Sequence, residues 1–113
     1  DVAVLERQVL EKFSTQLKEQ AELLRAFDRQ TQIDLAHLHA AVQSGEMEAA
    51  QRAAHRVKGA SRMLGAQQLE HICARIQAAA EREDVAEVRR LIAVELDEAV
   101  LRFRRVMHSR MLL

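Results

Sequence analysis

The sequence contains no proline and only three glycines, Gly45, Gly59 and Gly65. Proline and glycine are the residues that most often interrupt regular structure, so this chain has few places at which an element can end. Alanine, leucine, glutamine, glutamate and arginine dominate, and all of them favour helices. Alternating runs of β-branched residues bounded by turn residues are missing, which leaves strands hard to place. We therefore predict an all-α protein.

The spacing of the apolar residues divides the chain into five helices. Ser14 and Thr15 are candidate caps that separate a short first helix from a long second one. Gly45 and Gly65 suit the left-handed position that follows a helix, and Asp84 is a candidate N-cap for the last helix. The predicted helices span residues 2–13, 16–43, 46–64, 67–82 and 85–107.

Short connections make neighbouring helices antiparallel. The expected architecture of residues 1–113 is a single domain, an antiparallel up-down four-helix bundle with an additional N-terminal helix covering one end or side. The three phenylalanines, Phe13, Phe27 and Phe103, are assigned to the core. The last helix carries an apolar seam at three-and-four spacing, formed by Val85, Val88, Ile92, Leu96, Ala99, Phe103 and Val106.

Composition excludes several classes of function. The chain has 17 basic and 17 acidic side chains, and this balance argues against nucleic-acid binding. The single cysteine, Cys73, cannot form an internal disulfide and lies on an apolar stripe, so we expect a small buried side chain. No apolar run approaches the roughly 18 residues of a membrane span, so we expect no membrane contact and a cytoplasmic location. The chain begins at Asp1 rather than methionine, and we expect it to be part of a longer protein.

His55 is the most informative residue of the sequence. On a helical wheel centred on Val57, a set of small and branched residues falls within about 60°, and His55 lies roughly 160° away, facing outward. The outward arc also holds Lys58 and Gly59, and glycine costs about 1 kcal/mol relative to alanine in an exposed helix. The set that faces the core comprises Ala50, Ala53, Ala54, Ala60, Ser61 and Leu64.

These residues fit phosphoryl chemistry. An exposed imidazole is nucleophilic near neutral pH and can attack phosphorus. Lys58, one turn away, would offset the negative charge of a phosphoryl group. Gly59 would leave room for the molecule that presents that group.

The segment resembles the histidine phosphotransfer (HPt) domain of multistep phosphorelays. The family pattern is matched at His55, Val57, Lys58, Gly59, Ala60, Ser61, Leu64, Gly65 and Ala66. The similarity extends to an acidic turn at Gly45-Glu46, a Leu-x-x-x-Cys pattern from Leu69 to Cys73, and a last helix opened by Asp84. It therefore covers nearly the whole chain, although its motif is concentrated in the segment around His55.

The resemblance implies that His55 accepts a phosphoryl group from the aspartyl phosphate of one receiver domain and passes it to another. It also implies a hydrogen bond from Gln77 to the histidine ring. The domain would need no cofactor of its own, with Mg²⁺ bound by the partner receiver. The chain has no nucleotide-binding motif, so ATP chemistry would belong to a parent protein, which we expect to be a hybrid sensor histidine kinase. Ala60 replaces a serine common in the family.

Residues on or near the outward arc are candidates for partner binding. They are Gln51, Arg56, Arg62 and Ile33. Ile33 lies off the main stripe of its helix, and two interpretations stay open: a stray surface side chain or part of a docking patch. The other histidines, His37, His39, His71 and His108, lack the spacing of metal ligands and are assigned to the surface, so no metal site is expected.

Two other functions compete with phosphotransfer. The first is a helical interaction module that transfers no phosphoryl group, and such a module would have no functional use for a glycine at position 59. The dimerisation hairpin of a histidine kinase also carries an exposed histidine, but that class places an acidic residue directly after it, where this chain has Arg56. The chain has enough helices to close its own core, so we expect a monomer.

Overall fold

A computed structural model describes residues 1–111, with side chains described for residues 1–109. Every regular element in that range is helical, as predicted, and short turns make successive helices antiparallel. None of these helices combines the length and the apolar character needed to cross a bilayer. The elements are α1 (Val2–Gln43), α2 (Met47–Met63), α3 (Gln67–Glu81), α4 (Val85–Leu91), a π-helical turn (Ile92–Leu96) and α5 (Asp97–Met111).

Helix α1 is continuous, so the predicted break at Ser14 and Thr15 is wrong. The Oγ1 of Thr15 donates a hydrogen bond to the carbonyl of Glu11, one turn earlier. A hydroxyl that bonds back in this way does not cap a new helix, and neither residue removes a backbone donor as proline would. The expected covering helix is instead the projecting first half of α1. Phe13, predicted to be core, is 58% exposed there.

Each of the three turns between helices is a Schellman motif. After α2, the N–H of Ala66 donates to the carbonyl of Ser61, and Gly65 adopts a φ of +73°, where glycine is least strained. Gly45 occupies the same left-handed position after α1. After α3 that position is taken by Glu83, with a φ of 58°.

The π-helical turn changes the register of the last helix. A π turn adds one residue to the repeat, which rotates everything after it by about 100°. A period of about 3.6 residues counted from Val88 reaches Val106 after roughly five turns, and the inserted residue moves this point to Met107. Met107 is 2% exposed and Val106 is 52% exposed, so the predicted seam is wrong at its last residue. Helix α5 continues to Met111, past the predicted end at residue 107.

Helix α2 packs against both α1 and α3. Small side chains on its inner face allow neighbouring helices to approach closely. Phe103 lies in the core, and Phe27 is partly buried against the core, as predicted. Met47, which was not predicted, is buried on α2, and Ala60 and Leu64, which were predicted to face inward, are half-buried. The residues that are buried as predicted are Ala50, Ala53, Ala54, Val57 and Ser61.

Candidate functional site

His55 lies on the outer face of α2 and its side chain is exposed. Ala54 and Val57, on either side of it in the sequence, are fully buried and determine how the helix is rotated. The predicted outward orientation of His55 is therefore confirmed, because the small residues of the opposite face occupy the core. The imidazole is therefore exposed to solvent on a helix whose opposite face is packed in the core.

Gln77 of α3 is the side chain that contacts the imidazole. Its Nε2 lies 3.4 Å from Nδ1 of His55, at the long end of the hydrogen-bond range. The neighbouring Ile76 is fully buried and anchors this turn of α3 in the core. The amide oxygen of Gln77 is buried and has no hydrogen-bond partner within residues 1–109.

Lys58 is half-buried on α2, three positions after His55. Its positive charge influences Cys73 of α3. Burial raises the pKa of the Cys73 thiol to about 12, and the positive charge of Lys58 opposes that rise. Cys73 and Gln77 are one turn apart on the same side of α3. The ammonium group of Lys58 therefore acts on the face of α3 that also carries Gln77, while Cys73 itself is buried as predicted.

Gly59 is exposed and follows Lys58 along α2. A Cβ added at this position would have no neighbouring atom within 4 Å, and the backbone there is ordinary helix. Neither packing nor backbone strain within the described chain requires glycine at this position. The open space beside Gly59 is accessible to a second molecule.

A polar groove between α2 and α3 runs beside His55. Arg56 also pairs with Asp34 of α1, with Nε 3.0 Å from Oδ1. Asp34 is only 4% exposed and also accepts a hydrogen bond from Gln30. Because its carboxylate is shielded from water, this pair positions Arg56 more firmly than a surface ion pair would. The groove is lined by Glu48, Gln51, Arg52, His55, Arg56 and Gln77.

The structure gathers some of the predicted partner-binding residues and separates others. Gln51 and Arg56 line the groove of His55. Arg62 is highly exposed and pairs with Glu70 of α3, with Nε 2.7 Å from the carboxylate. Ile33 is exposed on α1 but does not line the groove, so its role as a docking residue stays a prediction.

Three residues of the site were missed in the sequence: Glu48 and Arg52, which line the groove, and Asp34, which pairs with Arg56. Arg52 precedes His55 by three positions, and helical spacing alone would have placed it on the same face. Asp34 is separated from Arg56 by a whole helical hairpin, and no local pattern links them. Only the packing of α1 against α2 brings this carboxylate to Arg56.

Together these features define a helical bundle that presents an exposed histidine, in contact with a glutamine amide, in a polar groove open to a macromolecular partner. The family model for the Hpt domain matches residues 8–106. The chain therefore belongs to the Hpt domain family, whose members perform histidine phosphotransfer in phosphorelay signalling and interact with response-regulator receiver domains. No curated protein and no solved structure matches the chain.

Proposed function

We propose that His55 receives a phosphoryl group from the aspartyl phosphate of one receiver domain and donates it to the aspartate of another. The observation that carries this proposal is the exposed imidazole of His55 with Gln77 on its Nδ1. A histidine buried in the bundle could not meet phosphorus on another protein. A freely rotating surface histidine would lack the contact that distinguishes its two nitrogens.

The amide of Gln77 determines which ring nitrogen attacks. A nitrogen needs a free lone pair to bond phosphorus, so nucleophilic Nε2 requires the proton to reside on Nδ1. The two ends of a glutamine amide are assigned by their hydrogen bonds, and rotating the amide brings Oε1 to Nδ1. This rotation gives the proton on Nδ1 an acceptor and exchanges the positions of Oε1 and Nε2. His55 Nε2 is then the phosphoryl acceptor.

The transfer step balances without an added reactant. The lone pair of Nε2 forms a bond to phosphorus as the bond between phosphorus and the donor aspartate oxygen breaks. The aspartate leaves as a carboxylate, and the ring keeps its Nδ1 proton against Gln77. Donation to the second receiver is the reverse step. A phosphoryl group carries close to two negative charges, which Lys58, one turn from His55 on α2, partly offsets.

The site has roles for partners as well as for its own residues. Gly59 admits the receiver, and Lys58 faces the negative charge of a receiver's acidic pocket, where Mg²⁺ would be bound. The domain itself uses no cofactor in this scheme. We place it in the cytoplasm as a module of a hybrid sensor histidine kinase, whose catalytic domain would use ATP.

A phosphorylation assay tests the proposal. The chain is incubated with a phosphorylated receiver domain, and separately with a small phosphoramidate donor, and intact mass and acid lability are measured. The expected result is acid-labile phosphate on His55 that is lost in His55→Gln and retained in His71→Gln, another exposed histidine. Transfer onward to a second receiver should then follow.

A folded protein that takes phosphate from neither donor would contradict the proposal. That outcome would favour the alternative of an interaction module without phosphotransfer. Labelling of His71→Gln at the wild-type level is the control. It shows that a loss of label in His55→Gln is caused by the loss of His55 and not by the loss of any exposed histidine.

A further inference from the structure

The first half of α1 projects beyond the bundle as a helical arm, residues 2–20, and it exposes a large apolar surface. Its side chains make no contribution to the buried core. Counted at about 100° per residue from buried Leu24, several of these apolar residues fall within roughly 60° of the core-facing direction. They are Val2, Val9, Leu10 and Phe13, each 58–70% exposed, with Leu5 at the edge of the stripe.

An apolar groove lies at the end of the bundle from which the arm projects. The turn after α2 and the end of α5 meet there, and α5 is held beside α1 by Arg104, whose Nε is 3.4 Å from Asp28 Oδ1. This end groove has a volume of about 190 Å³. Its apolar lining includes Leu64, Leu69, Phe103, Val106 and Met107.

The arm cannot cover this groove in its own molecule. Helix α1 is continuous, so it carries the arm away from the bundle instead of folding it back. A solvent-exposed helix of about 20 residues is marginally stable alone, and one with an apolar stripe gains stability when the stripe is covered. Each molecule thus presents an exposed stripe and an open groove at the same end.

We propose that two copies of this chain form an antiparallel dimer in which their arms pack against each other and the start of each arm reaches the other copy's end groove. The arrangement is self-complementary about a twofold axis, so it closes at two subunits. Each exposed apolar side chain offers on the order of 100 Å². Five from each copy offer about 1,000 Å², the lower limit for a specific interface.

The charge of the arm favours a second copy over other partners. Acidic and basic residues alternate along it and balance between residues 6 and 19. An arm without net charge has no attraction for anionic lipid or nucleic acid. The arm's acidic and basic residues are Glu6, Arg7, Glu11, Lys12, Lys18 and Glu19.

The proposed dimer is independent of phosphotransfer. His55 lies roughly two turns from the end of α2 that borders the groove. Its outer face stays open to a receiver in either oligomeric state. This inference replaces the monomer expected from the sequence, and its failure would leave the role of His55 untouched.

Sedimentation equilibrium of the chain from about 1 to 200 μM tests the proposal. The expected result is a reversible monomer–dimer equilibrium that Val9→Glu weakens at least tenfold. Val4→Glu is the matched control, because Val4 is also an exposed valine of the arm but faces the opposite side. Val106→Glu tests the groove and should also weaken the dimer.

Two outcomes would overturn the dimer. One is a wild-type chain that stays monomeric over the whole concentration range. The other is a dimer that Val4→Glu weakens as much as Val9→Glu. Circular dichroism of each variant establishes that the helical bundle is retained, and phosphate labelling of His55 in Val9→Glu should equal that of the wild type.

Discussion

The imidazole of His55 has two nitrogens, and the groups around the ring treat them differently. Nδ1 faces the amide of Gln77, and no side chain described in residues 1–109 hydrogen-bonds to Nε2. Three and four positions further along α2, Lys58 contributes a positive charge and Gly59 leaves space for a second molecule. Each of these residues therefore makes a separate and testable contribution to one ring.

Gln77→Leu keeps the size of the side chain and removes the hydrogen bond to Nδ1. We expect phosphotransfer to slow by about fivefold, since one hydrogen bond contributes about 1 kcal/mol. Nitrogen NMR of the ring should show the proton on Nδ1 in the wild type and a mixture of tautomers in the variant. Gln67→Leu at the start of α3 is the control, and an unchanged tautomer in Gln77→Leu would contradict the assignment.

Gly59→Ala should stabilise the fold and slow transfer from a receiver. Alanine is favoured over glycine by up to about 1 kcal/mol in a helix, and the added Cβ meets no atom within 4 Å. Urea denaturation measures the first effect and receiver kinetics the second, with Gly59→Leu expected to slow transfer further. Ala86→Leu, at an exposed position of α4, controls for the leucine itself. Wild-type transfer in Gly59→Leu would exclude a close approach of the receiver here.

At the scale of elements, the helices end where a residue adopts the left-handed conformation. Gly45 and Gly65 do so without steric cost, whereas Glu83 carries a side chain at a φ of 58°. The helix after that turn begins at Asp84, whose carboxylate accepts the N–H of Glu87 at 3.1 Å, as an N-cap should. Three turns of the same form thus join the helices with different amounts of strain.

Glu83→Gly should raise the free energy of unfolding by up to about 1 kcal/mol, because it relieves a left-handed conformation that L-residues disfavour. Gly65→Ala should lower the free energy of unfolding by about 1 kcal/mol, because it forces an L-residue into that left-handed conformation. Urea denaturation measures both. Gly59→Ala has the opposite expected sign to Gly65→Ala, and equal effects of the two substitutions would show that backbone conformation is not the cause.

At the scale of the whole molecule, the protein is a rod of 67 × 20 × 17 Å rather than a compact globule. Helix α1 alone has 42 residues, about 63 Å of helix, so its arm accounts for the length. The core includes no residue before Leu24. The site of His55 and the arm occupy different parts of this rod, so one can change without the other.

Deleting residues 1–13 should leave the stability of the bundle within about 0.5 kcal/mol of the wild type, measured at a concentration low enough for monomers. The deleted residues are all exposed and add nothing to the core. Leu35→Ala, a buried position, should cost about 2–5 kcal/mol in the same assay. A loss of that size on deleting the arm would mean that the arm packs against its own bundle.

Much of the site was accessible from the sequence because it lies on one helix. The outward orientation of His55 follows from the period of the small residues of α2, and the bounds of α2 and α3 fall within a residue of those predicted. The contact of Arg56 with Asp34 was not accessible, because it joins two helices through their packing. The exposure of Val106 was missed because a π turn leaves no distinct local pattern.

The amino-acid sequence by itself determined the helical class, the glycine turns and the face that His55 occupies. These depend on backbone propensity and on periodicity within one segment, which are local properties. Tertiary structure alone decided that Gln77 meets the ring, that buried Asp34 holds Arg56 and that the first half of α1 stays unpartnered. Each of these depends on how one helix packs against another, so the free energy that selects it arises only once the bundle has formed.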